Sequence, residues 1–203
     1  MSWPASSPAC RSRRAFLAAG SVLAGLCSFS RFASAEEALV PIALQVELLL
    51  KVAAYDKNLA QRAAARVELA VLVKNHDSDS AGSAAQARLA LAKAADILGL
   101  PLGSSSMIYS DAAALAQLVR AANIAILYLM PGFAESELQA IAEALRGVSV
   151  LSVGALARYA ERGTVIAFDL IGGKPKLLVN LARAKEQHVE LSSSVLKLMR
   201  VIE

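Results

Sequence analysis

The sequence predicts a single Rossmann-like, three-layer α/β domain: a mostly parallel sheet with flanking helices and a C-terminal β-hairpin. Three observations carry this. From about residue 42 to residue 162, short β-branched and aliphatic runs alternate with Ala/Leu-rich stretches of helical period, and parallel strands need such helical crossovers. Hydrophobic residues are 56% of the 203 positions and charged ones 19%, enough for a core without cross-links. A Gly172-Gly173 pair between two extended runs marks a hairpin.

Residues 1–35 stand apart. They hold four arginines (Arg11, Arg13, Arg14, Arg31), no acidic residue, both cysteines and the only tryptophan. Arg13-Arg14-Ala15-Phe16-Leu17 opens an uncharged run to Phe29, and Ala33-Ser34-Ala35 closes the segment. A basic start, a mildly apolar middle and an A-x-A end describe a cleavable export leader. Paired arginines before Phe-Leu make it twin-arginine in type. Leu26 is too bulky for lipoprotein processing at Cys27. The expectation is a twin-arginine signal peptide over 1–35 and a periplasmic domain over 36–203. Outside the leader, seventeen basic residues balance seventeen acidic ones, so the formal charge of +4 belongs to the leader. The body thus offers no electrostatic case for nucleic acid. No body segment is long and apolar enough for stable membrane insertion.

Within the body, helical period runs from Ile42 to Arg62, with Glu47, Lys51, Asn58 and Arg62 on a polar stripe opposite Val46, Leu49, Leu50 and Ala53. Val67–Val73 reads as a buried strand, followed by the turn Asn75–Ser80. Ser80 is the expected cap of a helix that ends at Gly99-Leu100-Pro101. A short strand over Ser106–Tyr109 and a helix over Asp111–Ala122, capped by Ser110, come next. Then follow a strand over Ile124–Met130, a helix over Glu135–Arg146 stopped by Gly147, a strand over Val148–Val153 and a helix over Ala155–Arg162 stopped by Gly163. After Thr164 come the hairpin strands around Gly172-Gly173, where Pro175 belongs at an edge. Helical stretches over 182–188 and from Ser193 to Val201, the latter capped by Ser192, complete the chain.

Catalytic motifs are missing: no phosphate-binding glycine loop and no nucleophile elbow occur. The body has no Cys, which excludes cysteine-held iron–sulfur clusters and thiolate zinc. His76 and His188 lack a neighbouring His and read as ordinary exposed side chains. Asp77 and Asp79 read as helix-capping acids rather than cation ligands. Lys174 and Lys176 read as charges that protect a sheet edge. No metal, cofactor or catalytic residue is expected.

The C-terminal half carries a resemblance. Leu127-Tyr128-Leu129, Val150–Gly154, Arg162-Gly163-Thr164-Val165-Ile166-Ala167-Phe168, Lys176–Leu181 and Leu191-Ser192-Ser193 with Leu196-Lys197-Leu198 resemble the YfiR-like family of small periplasmic regulators. The match covers about half of the chain. The sequence departs from the family at Arg162, Leu177 and Met199, and lacks the aromatic-Trp-Pro segment after the first helix. Gly163, Phe168, Asn180, Ser192 and Ser193 are its motif positions. Each also has a structural account: Asn180 and Ser192 as helix caps, Gly163 as a site for positive φ.

The resemblance implies a non-enzymatic regulator that binds the periplasmic sensor domain of an inner-membrane receptor, such as a diguanylate cyclase or sensor kinase, and represses it. A homodimer is left open. The exposed face of Glu47, Lys51, Asn58 and Arg62 is the expected contact surface. The alternative is a periplasmic small-ligand-binding protein, with a site at the strand C-termini lined by Asn75–Ser80, Met130–Phe133 and Gly154.

Overall fold

The computed structural model describes residues 39–202; the expected leader, with Arg13, Arg14, Ala33 and Ala35, lies outside the described residues. In chain order the elements are α1 (Ile42–Ala53), α2 (Leu59–Ala63), β1 (Val67–Val73), α3 (Ser78–Leu91), β2 (Asp96–Ile97), β3 (Leu100–Ile108), α4 (Ala112–Ala121) and β4 (Ile126–Leu129). They continue with α5 (Glu135–Ala144), β5 (Leu151–Gly154), α6 (Ala157–Arg162), β6 (Ile166–Ile171), β7 (Lys174–Asn180), α7 (Leu181–Glu186), α8 (Ser193–Leu196) and β8 (Arg200–Ile202).

The strands form one sheet in the order β2-β3-β1-β4-β5-β6-β7-β8. β3, β1, β4, β5 and β6 run parallel, β7 is antiparallel to β6, and β8 returns parallel to β7. The predicted α/β class and C-terminal hairpin are therefore present. From β1 the chain steps one way to β3, then crosses back to β4 and continues the other way. Right-handed crossovers place the helices of opposite steps on opposite faces. Accordingly α1 and α3 bury Val46, Leu49, Ala87 and Leu91 against Leu69, Val71, Ile126 and Tyr128. On the other face α4, α5 and α6 bury Leu115, Val119, Leu138, Ile141 and Tyr159 against Leu72, Leu127 and Leu129.

The central strands are covered on both faces, which is why β4 and β5 are buried along their whole length without alternation. Pro175 fits as expected. Asn180 N–H donates to Val165 O at 2.8 Å, so by alternation Lys174, Lys176 and Leu178 face β6 and Pro175 faces away. On that side β8 pairs only with Leu178–Asn180, so Pro175 leaves no ladder bond unmade.

Several boundaries differ from expectation. The first helix stops at Ala53, and a turn separates it from α2. Asp77 caps α3, its carboxylate accepting from Ser80 N–H at 2.7 Å, whereas Ser80 Oγ accepts from Lys74 N–H at 2.8 Å. That helix ends at Leu91, and the residues expected to stop it, Gly99 to Pro101, belong to a tight turn and to the long strand β3. Asp111, not Ser110, caps α4 by accepting from Ala114 N–H at 2.8 Å. The last expected helix is one turn long, and the chain then extends into β8.

Candidate functional site

In an open parallel sheet the ligand crevice lies where the strand order reverses, outside the C-terminal ends of the flanking strands. Here that place lies between the loops after β1 and β4. It is closed by the protein's own side chains. Gly132, at φ 106°, lets the second loop meet the first: a Cβ there would lie 2.6 Å from Asp77 Oδ2. The Lys74 ammonium pairs with Glu137 at the start of α5. It also lies 5.9 Å from the ring centroids of Tyr109 and Phe133. Beneath them Tyr159 donates its hydroxyl to Met130 O at 3.2 Å and accepts from Phe133 N–H at 3.0 Å. Burial alone would raise the Glu137 carboxyl, but hydrogen bonds from Lys74 and the Ala134 N–H, with the Lys74 charge, outweigh it and hold it below the ordinary carboxylate value. Burial raises the Tyr109 phenol, and the charges of Glu137 and Asp111 add to the effect. The crevice expected to line a ligand site is thus filled by an ion pair and aromatic rings. Of the expected lining, Asn75–Ser78 border a groove of about 410 Å3 beside it, together with Val73, Lys74, Ala81 and Ile108, whereas Met130–Phe133 and Gly154 do not.

The four residues expected on one exposed face are divided. Glu47 and Lys51 are exposed on α1 and pair at 2.6 Å. Asn58 lies beyond the end of that helix and donates to His188 O at 3.0 Å. Arg62 is buried, a correction to its expected exposure: only 3% of its side chain reaches solvent, and it is paired with the fully buried Asp56. Asp56 Oδ1 also accepts the N–H groups of Asn58 (3.1 Å) and Glu190 (3.0 Å). Ser192 N–H donates to Tyr55 O at 3.0 Å and Lys57 N–H to Glu190 O at 2.9 Å. This clip ties residues 55–58 to 190–192. It breaks the helical period because a carboxylate with three partners outweighs one more helical turn.

Asn58 and Arg62 also border a pocket of about 500 Å3 with Gln61, Asn123, Ser149 and His188. It sits at the N-terminal edge of the sheet, opposite the expected crevice. Asn123 and His188 both hold positive φ, 51° and 53°. Arg62 Nε is buried without a hydrogen-bond partner.

Sequence reasoning missed Gln45. Fully buried on α1, it donates to Val40 O (2.7 Å) and Ala155 O (3.1 Å) and accepts from the Tyr128 hydroxyl at 2.6 Å. Burial pushes that phenol far above its ordinary value. A glutamine inside an apolar stripe was the available signal, because a buried amide needs partners.

The motif positions have structural work. Asn180 caps α7 by accepting from Arg183 N–H at 3.0 Å and donates to Ala160 O at 3.0 Å. Phe168 packs edge-on against Tyr128, centroids 6.4 Å apart. Gly163 has φ 176°, which is extended, so the expected positive φ is absent. Glycine is needed there for space: a Cβ would lie 2.7 Å from Leu138 O and 2.9 Å from Ala142 Cβ. Ser192 precedes α8 but makes no capping bond; its hydroxyl meets that of Ser194 at 2.8 Å, and Ser193 begins the helix.

A family model described as YfiR/HmsC-like matches residues 43–200. The chain belongs to the YfiR/HmsC-like family. That family is one of periplasmic regulators rather than catalysts. The match extends the resemblance from the C-terminal half to nearly the whole described domain. No curated protein matches the chain. Among solved structures, it is similar to an ABC domain in complex with L-Trp from Streptococcus pneumonia, at 13% identity and TM-score 0.58, over 80% of this chain and 62% of that one. It is also similar to a conserved domain protein from Vibrio cholerae, at 16% identity and TM-score 0.53, over 82% and 61%. A third is a substrate-binding protein with adhesive properties from Clostridium difficile in its ligand-free, open form, at 11% identity and TM-score 0.53, over 72% and 58%. These likenesses are of fold, and the chain spans about three fifths of each structure's length. Among the described residues no helix is long and apolar enough to cross a membrane.

Proposed function

We propose that this YfiR/HmsC-like protein is a periplasmic regulator that binds the sensor domain of an inner-membrane diguanylate cyclase or sensor kinase and represses it. The family match over residues 43–200 carries the reading. The occupied crevice supports it, since the usual ligand place of this fold holds the Lys74–Glu137 pair. The Arg13-Arg14 leader supplies the route to the periplasm by twin-arginine export. The mechanism is a population shift: the regulator binds the inactive receptor better than the active one, and stress or a ligand weakens that preference. The exposed Glu47–Lys51 part of α1 is the proposed contact. Deleting the gene should raise cyclic-di-GMP or kinase output, and the protein should co-purify with the receptor's periplasmic domain. Unaltered cyclic-di-GMP, biofilm formation and kinase output after deletion would end this reading.

One observation favours a second reading, a small-ligand-binding protein. The pocket of about 500 Å3 at the N-terminal sheet edge is bordered by Arg62, whose Nε lacks a partner. A thermal shift on adding periplasmic small molecules, abolished by Gln61→Ala, is the result that reading requires.

A further inference from the structure

Of the residues that line the pocket of about 500 Å3 at the N-terminal sheet edge, Arg62 alone is buried. Its Nη2 pairs with Asp56 and its Nη1 reaches His188 O at 3.5 Å, which leaves the Nε–H without an acceptor. An unpaired buried donor is costly, and the pocket that Arg62 lines is where an acceptor from outside the chain reaches it.

The remaining lining selects the kind of acceptor. Asn58 Nδ2 donates to His188 O at 3.0 Å, and Asn123 Nδ2 donates to Arg62 O at 3.3 Å. Both amides are therefore fixed with nitrogen toward the backbone, and their oxygens are left to accept. Gln61 and Ser149 are exposed, and their side chains bond no other described residue. Each can both give and take a hydrogen bond. Arg62 is the only lining residue of fixed charge, and Asp56 balances it.

This set excludes three ligand classes. An anion would find a guanidinium already neutralised and two amide oxygens with nothing to donate. A cation would find no carboxylate and an unpaired N–H. An apolar ligand would find no apolar lining residue. Hydroxyl groups satisfy the set, because each one donates and accepts without bringing charge. The volume lies within the range of small-molecule sites. We propose that this pocket binds an uncharged, polyhydroxylated ligand, a small sugar. The inference rests on the small-ligand reading of this pocket, names that ligand's class, and is independent of the receptor reading.

The test is a thermal-shift and calorimetric titration of the purified protein with glucose, maltose and N-acetylglucosamine. Inorganic phosphate, acetate and putrescine serve as charged comparisons. At least one sugar should bind and raise the melt, and the charged compounds should not. Gln61→Ala and Ser149→Ala should each weaken that sugar about tenfold, the loss of one hydrogen bond, with the melt of the free protein unchanged. Arg62→Lys keeps a cation beside Asp56 and removes the Nε donor, so it should weaken the sugar too; the other two variants carry the test should it not fold. Sugar binding that survives both alanine variants would overturn the proposal. Phosphate, acetate or putrescine binding in place of the sugars, and lost in Gln61→Ala, would overturn it while leaving the small-ligand reading standing. No shift with any of these compounds would end both.

Discussion

The Asp56–Arg62 pair is the sharpest place to perturb. Both side chains are buried, and Asp56 accepts two backbone N–H groups besides the guanidinium. Removing one member of a buried pair leaves an uncompensated charge and costs about 3–5 kcal/mol. Asp56→Asn keeps an acceptor for Asn58 and Glu190 but loses the charge and the acceptor facing Arg62, so it should fall at the lower end only because the two backbone N–H groups stay satisfied. Asp56→Ala also orphans both N–H groups and should reach the upper end. For a domain of this size that lowers the melting temperature on the order of 10 °C. Combining Asp56→Ala with Arg62→Met should recover part of the loss, because no buried charge remains. Urea titrations of the two singles and the double give the coupling directly. Should Asp56→Ala stay within about 1 kcal/mol of the unaltered protein, the clip is not the anchor described. Arg62 therefore reports on stability, and charge reversal there cannot probe a docking face.

Lys51→Glu tests that face instead: its pair with Glu47 is exposed, so the melt should move by less than about 0.5 kcal/mol while receptor repression falls. Full repression with the variant would remove this part of α1 from the interface. Gly163→Ala should destabilise by about 1–3 kcal/mol through the Leu138 carbonyl clash, whereas Gly82→Ala, with open space in the middle of α3, should stabilise by about 0.5–1 kcal/mol; thermal melts decide both. Glu137 has a lowered carboxyl pKa in the fold, so its stabilising effect is fully present above the ordinary value of 4.5 and is lost as pH falls below it. Glu137→Gln should therefore flatten the acid limb of a stability–pH curve, and an unchanged limb would contradict the Lys74 pairing. Changing Arg13 and Arg14 together to Lys should hold the precursor in the cytoplasm, as fractionation would show; normal periplasmic appearance would reject twin-arginine export.

What was legible in the sequence was local. β4 is a continuous apolar run, and β1 is one from Leu69 to Val73, because both faces of the sheet are covered, and burial on both faces writes itself into composition. The Gly172-Gly173 turn, with φ of 58° and 74°, needs residues that only glycine supplies cheaply. Asn180 caps the helix that directly follows it. The resemblance likewise rested on contiguous residues around Asn180.

The rest depended on partners far along the chain. Asp56 ends a helix whose period runs on to Arg62, because Glu190 and Leu191 bring it backbone partners from the other end of the domain. Met199 to Ile202 fits a helix as well as a strand, and the free side of Leu178–Asn180 makes it a strand. Whether the crevice was open turned on Lys74 meeting Glu137 and on Tyr159 reaching Met130. Periodicity and capping sense neighbours within a turn or two. Burial of a charge, the end of a strand and the filling of a crevice are settled by desolvation and hydrogen bonding between distant segments. Those terms exist only once the layers have packed.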